Sequence, residues 1–121
     1  MHVKIFYSWQ SDSPGATNRG LIGDALDMAV RAITSDDSVT VEPVVDRDTR
    51  GVPGSPEISN TIFQKIGNSQ IFVGDVTIIN PGANTRKTPN PNVLVELGYA
   101  MRAPGPAKRS MLPASYMMVR P

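Results

Sequence analysis

Runs of β-branched and aromatic residues alternate with helical apolar stripes along most of the chain. The run Val-Lys-Ile-Phe-Tyr at residues 3–7 predicts a first strand, which leads into a polar loop. Over residues 21–33 the apolar side chains recur with helical spacing, which predicts an amphipathic helix. Thr17 and Asn18 are the candidate N-caps, because a short polar side chain there accepts a hydrogen bond from the first helical turn.

The next two segments predict a strand and a functional loop. Residues 39–45 have strand character, and Pro43 within them has no N–H to donate to a neighbouring strand. We therefore expect this second strand at an edge of the sheet. Residues 46–54 are polar and rich in Gly and Pro, and they form a loop longer than a simple turn requires.

Two further helices flank a strand of buried character. Ser55-Pro56-Glu57 predicts a helix start, and Gly67 predicts its end. The nearly continuous apolar run at residues 70–76 predicts a central strand that is covered on both faces. After a loop at 77–90, Asn90-Pro91-Asn92 opens a third helix, which carries Glu96 in its second turn.

Strand and helix thus alternate three times, which indicates one α/β domain over residues 1–121. We expect a flavodoxin-like parallel sheet of order 2-1-3-4, short of a fifth strand, with helices on both faces. The tail at residues 104–121 contains one further predicted strand, at 115–119. In such a fold, ligands bind at the carboxyl ends of the strands.

Composition excludes several classes of chemistry. The chain has 121 residues, a net charge of +1, no cysteine and one histidine, His2. Thiolate and Ser-His-Asp nucleophiles and multi-histidine metal sites are therefore excluded, and any catalysis must use carboxylates. The balanced charge argues against nucleic acid as a partner. Because the chain begins directly with a strand and has no long apolar run, we expect a cytoplasmic protein that does not contact membranes.

Three segments resemble the Toll/interleukin-1 receptor (TIR) domain family, in its bacterial branch. The first is Ile5-Phe6-Tyr7-Ser8-Trp9-Gln10-Ser11-Asp12, an aromatic strand that ends in Tyr-Ser. The second is Asp46-Arg47-Asp48 through Pro53-Gly54 with the helix that follows. The third is Asn92-Val93-Leu94-Val95-Glu96-Leu97, where the family usually has Trp-Cys-x-x-Glu-Leu. Asn92 and Val93 depart from that pattern, so the aromatic ring usual there is missing.

The resemblance implies hydrolysis of NAD⁺ at the bond between nicotinamide and ribose, or cyclisation of the ADP-ribose moiety. Glu96 falls on the family's catalytic glutamate, and it would stabilise positive charge at the anomeric carbon of the ribose. Five further residues are candidate substrate contacts, with Trp9 as a stacking ring: Tyr7, Ser8, Trp9, Asp48 and Asn92. The resemblance implies no metal and no cofactor, with NAD⁺ as the substrate.

The resemblance also implies assembly. The loop of TIR domains that follows the second strand packs against a neighbouring copy, which assigns self-association to Asp46, Arg47, Asp48, Gly51, Pro53 and Gly54. Bacterial relatives act as effectors in antiviral defence after a sensor domain or partner protein responds to a nucleotide signal. Asp46, Arg47 and Asp48 are also possible substrate contacts, although an Asp-Arg-Asp run is more often a solvated turn held by its own side chains.

Two other functions stay open. Residues 90–100 also resemble the glutamate-bearing stretch of nucleoside 2-deoxyribosyltransferases, which attack an N-glycosidic bond with a glutamate. Such a substrate lacks a cationic leaving group, so an acid is needed near the base, and Asp12 and Asp75 are the candidates. The second alternative is a non-catalytic module for self-association or nucleotide sensing.

Overall fold

A computed structural model of the protein describes residues 2–47, 56–102 and 115–119. The described elements alternate between strand and helix along the chain. In order they are β1 (His2–Ser8), α1 (Arg19–Thr34), β2 (Glu42–Asp46), α2 (Pro56–Gly67), β3 (Ile71–Asp75), α3 (Pro91–Arg102) and β4 (Ser115–Val119). Among the described residues, no helix has the length and apolar character of a membrane span.

The four strands form one sheet of order β2-β1-β3-β4, with every pairing parallel. This confirms the predicted α/β fold and its strand order. Strand β2 lies at one edge, as Pro43 predicts, and pairs only with β1 among the described strands. Strands β1 and β3 lie inside the sheet, so their carboxyl ends meet at its centre.

Two segments differ from the sequence prediction. Strand β2 begins at Glu42 rather than at residue 39, because the Val39 N–H donates to the Asp36 carbonyl at 3.0 Å and closes a turn there. The predicted loop at 77–90 contains a short antiparallel bridge between Ile78 and Pro89. The Asn80 side chain holds this bridge together, since it bonds to the backbone on the opposite side at Arg86 and Thr88.

The core divides into two clusters, one on each face of the sheet, because successive strand residues point to opposite faces. The cluster on the α1 face contains Ile5, Tyr7, Ile22 and Val73. The cluster on the α2 and α3 face contains Phe6, Ile62, Ile66, Phe72 and Ala100. The two inner strands therefore supply both clusters, which confirms that β3 is covered on both faces.

Helix α3 approaches the sheet closely at Gly74 of β3. A Cβ atom on Gly74 would lie 2.8 Å from the Phe72 ring and 3.5 Å from a methyl group of Val93. Val93 is fully buried in α3, one turn before Glu96. The absence of a side chain at Gly74 thus leaves room for the Phe72 ring, and Val93 of α3 lies at ordinary van der Waals distance from the same position.

We expect Gly74→Ala to lower the free energy of unfolding by about 1–3 kcal/mol, since the added methyl group overpacks a rigid contact. Urea denaturation measures this effect. Gly98→Ala is the matched control, because a Cβ there meets nothing within 4 Å and the helix gains propensity. Equal stability of Gly74→Ala and the wild type would contradict the close packing of the Phe72 ring against Gly74.

Candidate functional site

Polar side chains converge where β1 and β3 end, at the centre of the sheet. Strand β2 follows β1 along the chain and lies on one side of it, whereas β3 lies on the other side of β1. The strand order therefore reverses at β1. Because residues alternate between faces, the polar groups form two separate sets. Ser8 contacts Glu96 on the α3 face, and Asp75 forms its hydrogen bonds on the α1 face.

The first set is the Ser8–Glu96 pair. The Ser8 hydroxyl donates a hydrogen bond of 2.6 Å to Glu96 Oε2. Ser8 is 0% exposed and Glu96 is 5% exposed, so the bond lies in a low-dielectric environment. The short length is typical of a hydroxyl that donates to a charged acceptor. The pair therefore fixes one carboxylate oxygen at the carboxyl end of β1.

The start of α3 orients this pair. The Asn90 side-chain oxygen accepts hydrogen bonds from the N–H groups of Asn92 (2.8 Å) and Val93 (3.3 Å), so Asn90 is the cap of the helix. Its amide nitrogen donates to Asp12 Oδ2 at 2.6 Å. Asn90 thus ties the loop after β1 to the helix that carries Glu96.

The second set is the Asp75 cluster, which consists of Asp75, Gln10, Asn18 and Thr77. Asp75 is 0% exposed, and its Oδ2 accepts from Gln10 Nε2 and Asn18 Nδ2, each at 3.1 Å. Its Oδ1 accepts from the Thr77 N–H at 3.0 Å. A buried carboxylate needs such donors, because its desolvation costs several kcal/mol.

The Asp75 cluster also explains the start of α1. Asn18 occupies the N-cap position, as one of the two predicted candidates, but its side chain makes no capping hydrogen bond. It donates instead to Asp75 and to the Thr77 hydroxyl at 3.0 Å. The helix start is thereby fixed to the loop after β3 rather than to itself.

A cavity of about 310 Å³ lies on the α1 face, which we call the α1 pocket. The aromatic side chains of Tyr7 and Trp9 form part of its wall. The Arg19 guanidinium lies 3.7 Å from the centroid of the Trp9 ring, a cation–π contact. Arg47 completes the wall, and it donates to the Gly23 carbonyl at 2.9 Å and to Asp27 at 2.5 Å.

The structure brings together some of the residues singled out in the sequence and separates others. Ser8 and Glu96 are in contact, whereas Tyr7 and Trp9 belong to the opposite face and line the α1 pocket. Asn92 is exposed on α3, and its described contact is the backbone bond to Asn90.

The predicted assembly loop is described only at its start. Asp46 forms an ion pair with Lys65 at 3.6 Å. Arg47 bonds to Asp27 and to the Gly23 carbonyl. The remaining candidates lie outside the described residues: Asp48, Gly51, Pro53 and Gly54.

Sequence reasoning missed the anchoring role of Gln10 and Asn18. Gln10 is buried and bonds to both Asp75 and Ser13. A polar residue two positions after a strand carries no periodic signal, so nothing in the pattern distinguishes Gln10 from a solvated loop residue. The sequence signal was Asp75, an acidic residue at the end of a strand that is predicted to be buried. Such a carboxylate requires hydrogen-bond donors nearby.

No protein-family model matches the chain, and no curated protein is similar to it. A solved structure of a 2-desoxiribosyltransferase from Leishmania mexicana has a similar fold, with a TM-score of 0.50 and 14% sequence identity. The similarity covers 98% of this chain and 64% of that chain, so the protein spans about two thirds of its length. The comparison supports the flavodoxin-like α/β fold.

We expect Asp75→Asn to lower the free energy of unfolding by about 3 kcal/mol, because the amide turns one acceptor oxygen into a donor that faces other donors. Thermal and urea denaturation measure the loss. Asp37→Asn is the matched control, since Asp37 is exposed. If the two variants are equally stable, the Asp75 cluster does not hold the loops.

The ionisation of Tyr7 lowers the free energy of unfolding at alkaline pH. Burial raises the pKa of Tyr7 from 10.0 to about 12, and the charge of Asp75 adds to this effect while Arg47 and Arg19 oppose it. The unfolded chain loses the Tyr7 proton first as the pH rises, so stability is complete below pH 10.0 and falls between 10.0 and about 12.

We expect Tyr7→Phe to reduce this alkaline fall, because phenylalanine has no proton to lose. The urea midpoint, measured as a function of pH, gives the slope of each variant. Tyr99→Phe, at the surface of α3, is the control and keeps the wild-type slope. A slope that Tyr7→Phe leaves unchanged would contradict the assignment to Tyr7.

Proposed function

We propose that the protein is an N-glycosidase that cleaves the bond between nicotinamide and ribose in NAD⁺, with Glu96 as its catalytic residue. The observation that carries the proposal is the buried 2.6 Å hydrogen bond from Ser8 to Glu96 at the carboxyl end of β1. The substrate NAD⁺ comes from the resemblance to TIR domains. The similarity in fold to a deoxyribosyltransferase supports the general kind of reaction.

Each group has a defined part in the reaction. The Ser8 hydroxyl holds Glu96 Oε2 in one orientation, so the carboxylate needs no reorganisation when the substrate reacts. The bond between the ribose anomeric carbon and the nicotinamide nitrogen breaks, and its electron pair stays on the nitrogen. Glu96 stabilises the positive charge that develops on the sugar, and water then adds to the anomeric carbon and releases a proton.

The burial and hydrogen bonds of Asp75 favour NAD⁺ over a neutral nucleoside as the substrate. Nicotinamide leaves as a neutral molecule from a cationic ring, so no acid has to protonate it. Asp75 is fully buried, and its oxygens are bonded to Gln10, Asn18 and Thr77, so it is not available as such an acid. The reaction proposed for Glu96 therefore uses no second carboxylate, which suits a leaving group that needs no proton.

A 2-deoxyribosyltransferase-like activity is the second candidate, and the position of Asp12 favours it. Asp12 is exposed and bonds to Asn90, the cap of the helix that carries Glu96. Asp12 is therefore linked through Asn90 to the helix that carries Glu96, and the second candidate assigns to it the acid that a neutral base requires. In this reaction Glu96 would attack the sugar and Asp12 would supply the proton.

Self-association is part of the proposal, since the family resemblance assigns the loop after β2 to contacts between copies. The reaction then depends on assembly, which a sensor domain or partner protein that responds to a nucleotide signal would trigger. The non-catalytic alternative keeps this assembly and omits the chemistry. Activity must therefore be measured on protein whose assembly has been demonstrated.

We expect assembled protein to release nicotinamide from NAD⁺ and Glu96→Gln to reduce the rate by about 10²–10³-fold, as loss of a charge that acts in the transition state does. The amide oxygen of glutamine still accepts the Ser8 hydrogen bond, so the fold is retained. Chromatography of the products, with circular dichroism and light scattering on each variant, measures both effects. Glu42→Gln, at the exposed edge strand, is the matched control.

The same preparations distinguish the alternatives. The wild type is also tested for exchange of the base of deoxyadenosine. If both Glu96→Gln and Asp12→Asn abolish this exchange, the function is deoxyribosyl transfer rather than NAD⁺ cleavage. If protein that light scattering shows to be assembled has neither activity, the non-catalytic module is the remaining function. Nicotinamide release that Glu96→Gln does not reduce would contradict the role of Glu96.

A further inference from the structure

We propose that Asp12 is a positioning residue for Glu96, and that it acts through its hydrogen bond with Asn90. This role rests on the proposed function, because Glu96 is the catalytic residue of the proposed reaction. Two hydrogen bonds join the same two segments of the chain, the loop after β1 and the first turns of α3. They run from Ser8 to Glu96 and from Asn90 to Asp12, and each is 2.6 Å long.

The two bonds fasten these segments at both ends. Ser8 and Asp12 are four residues apart in the first segment, and Asn90 and Glu96 are six residues apart in the second. The segments run in opposite directions, since the first residue of one bonds to the last residue of the other. Ser8 and Glu96 are buried, whereas Asp12 is exposed. The bond between Asp12 and Asn90 therefore closes the arrangement at the surface.

The side-chain amide of Asn90 has a fixed orientation. Its oxygen accepts from the N–H groups of Asn92 and Val93, at 2.8 Å and 3.3 Å. Its nitrogen therefore faces Asp12, where it requires an acceptor. A carboxylate meets this requirement, and a hydrogen bond to a charged acceptor is stronger than one to a neutral acceptor. Position 90 thus combines an acceptor toward the helix with a donor toward Asp12.

The loop that carries Asp12 is itself anchored to the sheet. Gln10 donates to Asp75 Oδ2 at 3.1 Å, and its side-chain oxygen accepts from the Ser13 N–H at 2.9 Å. Asp12 lies within the turn that the Gln10 side chain closes. A continuous set of contacts therefore leads from the buried Asp75, through the loop after β1, to Asn90 at the start of α3.

The start of α3 controls the placement of Glu96. The six residues from Asn90 to Glu96 span about 9 Å of helix, so a shift at Asn90 moves the carboxylate with it. Val93 is 0% exposed and holds the helix against the sheet, but an apolar contact has no direction and does not fix the helix start. A misplacement of about 1 Å at a reacting group can cost about 10²-fold in rate.

The test reverses the polarity of the contact with Asn90→Asp. Aspartate is as good an N-cap as asparagine, and a negative charge favours a helix N-terminus, so α3 keeps its cap. Two carboxylates then face each other at Asp12. We expect kcat for NAD⁺ to fall about tenfold or more, with KM within about twofold of the wild type, because Asp12 does not bind the substrate. High salt should restore part of the loss, since it screens exposed charges.

Asn84→Asp is the matched control, because Asn84 is exposed in the same loop and the charge change is identical. We expect it to have wild-type kinetics. Adding Asp12→Asn to Asn90→Asp exchanges the amide and the carboxylate, and it should restore kcat to within about threefold of the wild type. Two results would overturn the proposal: a double variant no more active than Asn90→Asp, or equal kcat of Asn90→Asp and Asn84→Asp.

A failure of the proposed function is seen separately, as assembled wild-type protein that cleaves no NAD⁺. The positioning role is then tested by the urea midpoint, which Asn90→Asp should lower and the added Asp12→Asn should restore. Ser8→Ala and Asn90→Asp together should lower the midpoint by less than the sum of their separate effects, because each bond supports the other. Additive effects would show that Asp12 does not act on the Ser8–Glu96 pair.

Discussion

The buried carboxylate of Asp75 holds together the loops around the candidate site. Its hydrogen bonds join the end of β3 to Gln10 in the loop after β1, to Asn18 at the start of α1, and to Thr77. A carboxylate with no exposure is stable only when donors replace its lost hydration. The three segments must therefore adopt this arrangement together, and the geometry of the loops on the α1 face follows from it.

The alternation of side chains along β1 gives the sheet two chemically different faces. Tyr7 turns toward α1, where two aromatic rings and two guanidinium groups surround a cavity. Ser8, the next residue, turns toward α3 and meets Glu96 in the dry interior. One strand end thus serves two environments, one around a cavity with charged side chains and the other buried and low in dielectric.

The Ser8–Glu96 pair is costly for the fold. A hydroxyl and a carboxylate take the place of apolar packing between β1 and α3, where hydrophobic side chains of similar volume would cost less to bury. Asp75, a second buried carboxylate, has a structural part in joining the loops. The proposed function gives Glu96 a part in the reaction instead.

The sequence by itself determined the order of elements and the strand order, because hydrophobic periodicity and Pro43 act locally. It also indicated Ser8, directly after the first predicted strand, and Glu96, in the second turn of the third predicted helix. It did not show that Ser8 would meet Glu96, nor that Gln10 is buried and bonds to Asp75. Those features depend on contacts between residues 57 to 88 positions apart, such as Asn18 with Asp75 and Ser8 with Glu96. Only the tertiary structure decides them, since no local pattern encodes which distant donor a buried carboxylate will meet.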